Sequence, residues 1–226
     1  KAGAPIHEIA PVPGLEHIPS SSGRAPFAYH TDCAFLAPCF SPSGLILFGL
    51  KNHNHAPTAL LTLDRILGAA PVALIRSLRK SIFQHPAPAT FELPVSVAGP
   101  ILWVDGRGVY RVAVQTHAVQ PAAGPDHAEA CDAIARLRSL LDCLEPERAV
   151  LAPGSALLFK NDRVLHGRGA FTGERWLQRA YFTGSAAAFR QRTGAPPAEF
   201  TFDARLLMDS GEKTLALQES IGHSKN

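Results

Sequence analysis

The chain has 226 residues, of which 46% are hydrophobic and 18% are charged, and its formal net charge is +3. These values are ordinary for a globular protein that buries one core, so we expect a single domain over residues 1–226. The small net charge and the lack of a long Lys/Arg run argue against nucleic acid as a partner. No apolar run in the sequence approaches the roughly 18 residues that a membrane span requires.

The four cysteines form neither a CxxC pair nor the spacing of a zinc ribbon. We expect reduced structural thiols, because disulfides are rare in cytoplasmic proteins. The first residues also lack the basic and then apolar pattern of a signal peptide. These features predict a cytoplasmic protein whose cysteines carry no chemistry. The four are Cys33, Cys39, Cys131 and Cys143.

Residues 1–26 are rich in Pro, Gly and Ser, which favours a loop region over a regular element. The segment that follows, residues 27–36, is predicted to begin with a strand that contains His30 and Asp32. Side chains at positions i and i+2 of a strand point to the same face. We therefore expect His30 and Asp32 to project side by side, as two ligands of a metal ion would.

The middle of the chain alternates short apolar runs with turns. Residues 45–50 and 58–63 are predicted strands, and Pro71 is well placed in the first turn of a short helix. A turn at residues 105–108 between two apolar runs predicts a hairpin. Apolar residues at helical spacing then predict an amphipathic helix that begins at Asp126 and ends before Pro146.

Residues 156–182 are predicted to form strand, tight turn, strand, loop and strand. His166 lies at the end of one apolar run and Arg179 lies inside the next. Residues 184–226 are more polar and are interpreted as a C-terminal extension. Many short strands with inserted helices, and no alternation of strand and helix, predict a mostly antiparallel fold. The fold class that we predict is a mostly β double-stranded β-helix, or jelly roll.

Strands of a jelly roll can bring His30, Asp32 and His166 together although they are distant in sequence. Two histidines and one carboxylate on one face of an iron ion form the facial triad of non-haem Fe(II) oxygenases, which leaves coordination positions open. A structural zinc site would instead close a tetrahedron, often with thiolates. We predict that these three residues are the metal ligands and the catalytic centre.

Three segments together resemble a known family: His30-Thr-Asp32, the run from Leu157 to His166-Gly-Arg168, and Arg175-Trp-Leu-Gln-Arg179. They are similar to the Fe(II)/2-oxoglutarate-dependent oxygenases of the clavaminate synthase and taurine dioxygenase superfamily, in particular to the asparagine oxygenase-like branch. The resemblance covers residues 27–183, which we interpret as the motif-bearing core. His-x-Asp alone is a weak signal, but the ordered combination is specific.

The resemblance implies cofactors and residue roles. Fe(II) would be held by the three ligands, and the guanidinium of Arg179 would bind the distal carboxylate of the co-substrate 2-oxoglutarate. Thr58, which lies 28 positions after His30, would hydrogen-bond the same carboxylate, with Thr62 as the alternative. With O2, the family converts 2-oxoglutarate to succinate and CO2 and oxidises a substrate, most often by hydroxylation. Halogenation is not expected, because related halogenases have Ala or Gly in place of Asp32.

The predicted substrate is a small polar molecule such as an amino acid or a natural-product intermediate, since that is what the resemblance implies for this branch. Arg168, Arg111 and Tyr110 are candidate substrate-binding residues. Arg168 has a second interpretation, in which it supports a loop. Oligomeric state is left open.

Two other functions compete with this prediction. The chain could be a jelly-roll protein that binds a metal or ligand without oxidising anything. It could also be a cupin-type metalloenzyme whose ligands are His53 and His55, since both architectures are jelly rolls. The cupin alternative lacks a nearby glutamate, because none follows this pair before Glu92. A solvated turn is the simpler interpretation of His53 and His55.

Overall fold

The computed structural model describes residues 5–38, 40–88 and 96–183, together with residues 187, 190, 191 and 194. Within these ranges, strands outnumber helices. The elements are β1 (Ile6–Ile9), β2 (Phe27–His30), β3 (Gly44–Asn52), β4 (Thr58–Thr62), α1 (Leu63–Ala69), α2 (Val72–Leu78), β5 (Phe83–Pro86), β6 (Ser96–Gly99), β7 (Leu102–Val104), β8 (Tyr110–Val112), β9 (Gln120–Pro121), α3 (His127–Cys143), β10 (Glu147–Ala149), β11 (Ala156–Phe159), β12 (Val164–Arg168) and β13 (Arg175–Phe182).

Two sheets of four strands each form the body of the described chain. Sheet I has the order β1-β13-β3-β11, and sheet II has the order β10-β4-β12-β2. Their strand pairs are all antiparallel. A smaller sheet, β6-β5-β9, and the hairpin β7-β8 complete the arrangement. The prediction of a mostly β, antiparallel fold with inserted helices is confirmed.

One hydrophobic core lies between the two large sheets. Leu45 and Leu47 of β3 and Leu177 of β13 are buried in it, and Leu60 of β4 and Val164 of β12 pack against them from sheet II. These side chains come from alternate positions of their strands, as expected when one face of a strand is buried. Sheet I and sheet II therefore face each other, and polar residues at neighbouring inward positions share this interior.

A second core lies on the other face of sheet II, where the helices cover it. Leu61 of β4 and Leu165 of β12 are buried there against Leu137 and Leu141 of α3. The apolar stripe of α3 is the one predicted from the sequence, and the helix occupies the predicted segment. The central strands of sheet II, β4 and β12, are thus packed on both faces.

The N-terminal region differs from the prediction of a loop over residues 1–26. It contains β1, which pairs with β13 at the edge of sheet I, with His7 opposite Arg179. The strand is only four residues long and is followed by a Pro/Gly-rich segment. Its partner lies more than 160 residues away in sequence, and such non-local pairing leaves little signal in local composition. The extension predicted over residues 184–226 lies almost entirely outside the described residues.

Two smaller predictions can be compared with the structure. Cys33, Cys131 and Cys143 are free thiols, as predicted, and Cys39 lies outside the described residues. Within the described ranges, no helix has the length and hydrophobicity needed to cross a bilayer.

A buried histidine in the small sheet links stability to pH. Burial lowers the pKa of His85 to about 4, although backbone groups of Gly99 and Pro100 oppose the shift. A histidine whose pKa is lower in the folded state stabilises the fold above its unfolded pKa, near 6.5, and loses that contribution as the pH falls. We therefore expect His85 alone to decrease the free energy of unfolding by about 3 kcal/mol between pH 7 and 4.

The measurement is chemical denaturation of the wild-type protein and of His85→Leu at several pH values. The variant should lose less stability on acidification, because a leucine side chain takes up no proton. Parallel stability curves for the two proteins would show that His85 is not the buried neutral base described here.

Candidate metal and co-substrate site

Strand pairing in sheet II brings the predicted metal ligands together. β12 lies between β2 and β4, and His166 of β12 is directly opposite His30 of β2. Asp32 follows β2 by two residues and turns towards both imidazoles. His30 Nε2 lies 3.7 Å from Asp32 Oδ1, and His166 Nε2 lies 3.9 Å from Asp32 Oδ2. The grouping of these three side chains was predicted from their types and order.

The three side chains fit a single metal ion. One ligand atom from each lies within 4.8 Å of the others, and no other group of three or more His, Cys, Asp or Glu with this property occurs among the described residues. Two donors that are each about 2.1 Å from one ion can be at most about 4.2 Å apart, and both distances from a histidine Nε2 to Asp32, 3.7 and 3.9 Å, lie within this limit. His30 Nδ1 lies 2.8 Å from the carbonyl oxygen of Ala28, which leaves Nε2 directed towards Asp32.

Burial keeps both histidines in the form that binds metals. It lowers the pKa of His30 to about 3, with a further decrease from the nearby imidazole of His166 and an opposing effect of Asp32. Burial also lowers the pKa of His166. Both side chains are therefore neutral at physiological pH, and a neutral imidazole can donate a nitrogen lone pair to a cation without first releasing a proton.

Asp32 is ionised although it is buried. Burial alone would raise the pKa of its carboxyl group, but the guanidinium of Arg179 and the two imidazoles outweigh this and hold the pKa at about 2. Arg179 Nη1 donates a hydrogen bond to Asp32 Oδ2 at 2.9 Å. Asn161 fixes the backbone on the other side, since its side chain accepts from the N–H of Asp32 and donates to the carbonyl oxygen of Asp32.

Arg179 is held in turn by residues that the sequence did not indicate. His7, carried by β1, places Nδ1 3.4 Å from Arg179 Nη2, and the ring of Tyr181 lies 4.8 Å from the guanidinium carbon. The alternation of β13 could have suggested Tyr181, which faces the same side as Arg179. His7 and Asn161 left no such signal, because their positions depend on strand pairing and on a turn.

The second arginine of β13 has a different environment. Arg175 Nη2 donates to Thr58 Oγ1 at 2.9 Å, and both residues are buried. Burial and the nearby charge of Arg168 lower the pKa of Arg175 to about 10, and no carboxylate lies within ion-pair distance of it among the described residues. The Nε of Arg175 is buried and has no hydrogen-bond acceptor among the residues that the structure describes.

This pairing alters the predicted partnership of Thr58 with Arg179. Thr58 contacts Arg175, whereas Arg179 is committed to Asp32. Both arginines face the interior, as the period of two along a strand requires, so neither is a surface residue. Thr62, the alternative to Thr58, caps α1 by accepting a hydrogen bond from the N–H of Arg65. The Thr58–Arg175 pair thus lies next to the predicted metal ligands without a counter-charge.

A cavity connects the metal ligands with this pair. His30, His166, Thr58 and Arg175 line it, as do Arg179 and Arg168. Apolar side chains of both sheets also line it, among them Leu47 and Leu177 of sheet I and Phe27 of sheet II. A ligand in this cavity would therefore contact both the predicted metal ligands and the guanidinium of Arg175, which has no counter-charge.

Two of the predicted substrate-binding residues lie elsewhere. Arg111 forms ion pairs with Asp105 and Asp162 at 2.7 and 3.1 Å, so its charge is used within the β7-β8 region. Tyr110 packs against the helix-covered core. Neither lines the cavity at the metal ligands. An ordinary structural role in the hairpin explains the contacts of both residues, and substrate binding by Arg111 and Tyr110 stays a prediction that this cavity does not support.

The cupin alternative is not supported by the geometry. His53 and His55 are exposed in the turn between β3 and β4, and His55 has a positive φ of 51°. His53 Nδ1 lies 3.7 Å from a carboxylate oxygen of Glu174, but no third ligand joins them in the described ranges. The two histidines lie in a solvated turn, as their polar neighbours in the sequence suggested.

Comparison with known proteins finds similar oxygenases. The model of the "Taurine catabolism dioxygenase TauD, TfdA family" matches residues 75–181. L-asparagine oxygenase of Streptomyces coelicolor is 26% identical over 190 residues, which cover 80% of this chain and 55% of that protein. The chain thus spans little more than half the length of this relative.

Solved structures show the same fold. A structure of asparagine oxygenase with Fe(II), (2S,3S)-3-hydroxyasparagine and succinate superposes with a TM-score of 0.73 at 24% identity, over 86% of this chain and 60% of that one. The non-haem iron oxygenase OrfP with Fe and α-ketoglutaric acid also gives a TM-score of 0.73, at 23% identity, over 88% of this chain and 62% of that one. By sequence motifs, family match and fold, the chain is similar to the TauD/TfdA oxygenases and, among them, to asparagine oxygenase.

Proposed function

We propose that the chain is a non-haem Fe(II)/2-oxoglutarate-dependent dioxygenase that hydroxylates a small polar substrate. The observation that carries the proposal is the convergence of His30, Asp32 and His166 beside a buried arginine without a counter-ion. A metal site alone would suit many functions. A metal site next to an uncompensated guanidinium suits a co-substrate that has a carboxylate at the end remote from the metal.

Iron bound by the three ligands would bind 2-oxoglutarate and O2 and supply the oxidising chemistry, as it does in facial-triad oxygenases. The protein residues provide the rest of the site. Neutral His30 and His166 offer nitrogen lone pairs, and Asp32 offers a negative charge that reduces the net charge of the bound cation. Arg179 holds Asp32 in one orientation through Oδ2, so the other oxygen is left for the metal.

We assign the distal carboxylate of 2-oxoglutarate to Arg175 and Thr58, in place of the Arg179 assignment suggested by the motif. Arg175 has an unpaired Nε–H, and Thr58 accepts from Arg175 and so keeps its own hydroxyl proton for a further acceptor. A carboxylate between them would complete the hydrogen bonds of both groups and neutralise the buried charge. The Nε of Arg179 is also buried without an acceptor among the described residues, but the charge of Arg179 is already neutralised by Asp32.

The substrate class is proposed from the relatives. Structures of asparagine oxygenase and OrfP contain a hydroxylated asparagine and a hydroxylated arginine. We propose a free or conjugated amino acid as the substrate of this chain and hydroxylation as the outcome, with a jelly-roll fold around the site. The retained carboxylate of Asp32 supports hydroxylation over halogenation.

Metal binding tests the first part of the proposal. Asp32→Ala and His166→Ala should weaken Fe(II) binding by more than about 100-fold, since loss of a direct ligand exceeds the 10–100-fold effect of an outer-shell partner. His53→Ala and His55→Ala are the matched controls and should bind as the wild type does. Anaerobic equilibrium dialysis measures all four. Loss of iron from the two control variants, with retention in the other two, would favour the cupin alternative.

Turnover tests the second part. With Fe(II), O2 and 2-oxoglutarate, the wild-type protein should form succinate, and an accepted amino acid should gain the mass of one oxygen atom. Asp32→Ala should form neither product. Mass spectrometry of reactions with a panel of amino acids and conjugates detects both. Stoichiometric iron binding without succinate formation, with or without any of these compounds, would identify a binding protein that performs no oxidation.

A pair of variants tests the two arginines of β13. Arg175→Gln should raise the KM for 2-oxoglutarate by about 10- to 100-fold, because it removes one or two charge-assisted hydrogen bonds, while saturating co-substrate should restore most of kcat. Arg179→Gln should chiefly lower kcat and iron affinity, because it releases Asp32. Steady-state kinetics at varied 2-oxoglutarate separates the two effects. The reverse pattern would return the carboxylate to Arg179.

A further inference from the structure

Arg168 lies two residues after the metal ligand His166 on β12, and its guanidinium is bound by backbone carbonyl groups. Nη2 donates to the carbonyl oxygens of Ser20 and Gly23 at 3.0 and 2.9 Å, and Nη1 donates to that of Ala25 at 3.0 Å. Longer contacts of Nη1 reach Arg24 and Gly169 at 3.3 and 3.2 Å. Four of these five oxygens belong to one loop, residues 20–25.

The charge of Arg168 has no acidic partner. Burial lowers its pKa to about 10, and no carboxylate lies within ion-pair distance of it among the described residues. The guanidinium carbon stacks 4.6 Å from the centre of the Phe171 ring. Partial negative charges of carbonyl oxygens are thus the main compensation for this cation, and they come from a segment that is remote in sequence.

The loop that Arg168 holds is itself compact. The N–H groups of Arg24 and Ala25 donate to the carbonyl oxygen of Glu16, and that of Gly23 donates to Ser20. Gly23 is buried, and a Cβ on it would lie 1.8 Å from the carbonyl oxygen of Ile18. The loop therefore has one tight conformation, which presents several carbonyl oxygens on one side.

The same loop forms part of the wall of the metal cavity. Ser21 lines the cavity together with Arg168, Thr58 and Arg175. We propose that Arg168 is a positioning residue that fixes loop 20–25 as a wall of the co-substrate pocket, and that it does not bind substrate. Because its Nη hydrogens are used by carbonyl oxygens, the guanidinium offers little to a ligand. Strand β12 thus carries both the predicted metal ligand His166 and Arg168, the residue that fixes the pocket wall beside it.

The mobility of the loop is tested by tryptic cleavage after Arg24 in the full chain loaded with Fe(II). Arg168→Gln should speed this cleavage by about tenfold or more. The rate of proteolysis follows the population of the open loop, and loss of even one charge-assisted hydrogen bond raises that population by about this factor. Arg168→Lys should be intermediate, since an ammonium serves at most three acceptors. Arg163→Gln is the matched control, because Arg163 also donates to a backbone carbonyl, that of Tyr110.

A second variant disturbs the loop without touching the guanidinium. Gly23→Ala should reproduce the faster cleavage through its clash with Ile18, whereas Gly106→Ala, with no heavy atom within 4 Å of the added methyl group, should not. Circular dichroism establishes that each variant is folded. Cleavage of folded Arg168→Gln or Gly23→Ala at the rate of its control would overturn the proposal.

The positioning of the pocket is tested by co-substrate affinity, and this part rests on the proposed function. Arg168→Gln and Gly23→Ala should each raise the dissociation constant of 2-oxoglutarate by about tenfold, with iron affinity and kcat at saturation nearly unchanged. A purely structural defect would decrease the affinity for 2-oxoglutarate, the affinity for iron and kcat together. Faster cleavage with unchanged 2-oxoglutarate affinity would overturn the assignment of the loop as a pocket wall. If the wild-type protein resists tryptic cleavage after Arg24 but binds no 2-oxoglutarate, the proposed function would be contradicted, whereas the role of Arg168 in fixing the loop would stand.

Discussion

The candidate site depends on keeping one carboxylate ionised where water is largely excluded. An isolated buried Asp would take up a proton, and a protonated Asp is a poor metal ligand. Arg179 prevents this by donating to Asp32 Oδ2 at 2.9 Å. The two neutral imidazoles then stand beside an ionised carboxylate, so all three groups are in the protonation state that binds a metal.

The fold supplies this arrangement through the position of β12. As a central strand of sheet II, β12 is hydrogen-bonded on both sides and packed on both faces. His166 therefore has little freedom. Across the sheet it lies opposite His30 of β2 on one side and opposite β4 on the other. A ligand set built on paired strands is more precise than one built on loops. Asp32, which follows the end of β2, needs the additional hydrogen bonds of Asn161.

The sequence was sufficient to group the three predicted metal ligands and insufficient for the pairing of charges around them. His30, Asp32 and His166 were predicted from their residue types, their order and the family resemblance, whereas the strand expected to carry both His30 and Asp32 ends at His30. The choice between Arg175 and Arg179 could not be made in this way, since both occupy one face of β13 at a separation of four residues. Their side-chain hydrogen-bond acceptors are non-local, Thr58 for one and Asp32 for the other. The strand β1 was missed for the same reason, because its partner lies at the far end of the described chain.

Three arginines around one cavity have three different sources of compensation, and this difference divides their tasks. Arg179 is neutralised by a carboxylate, Arg168 is solvated by carbonyl oxygens, and Arg175 has one hydroxyl oxygen and a vacant N–H. A buried guanidinium with unsatisfied hydrogen-bonding capacity is costly to the folded protein. The cost is relieved when an anion binds, so it becomes part of the affinity for that anion. A dicarboxylate that reaches from the metal ligands to Arg175 would relieve this cost with one carboxylate and complete the metal coordination with the other. Arg175 is therefore the most informative residue of the site.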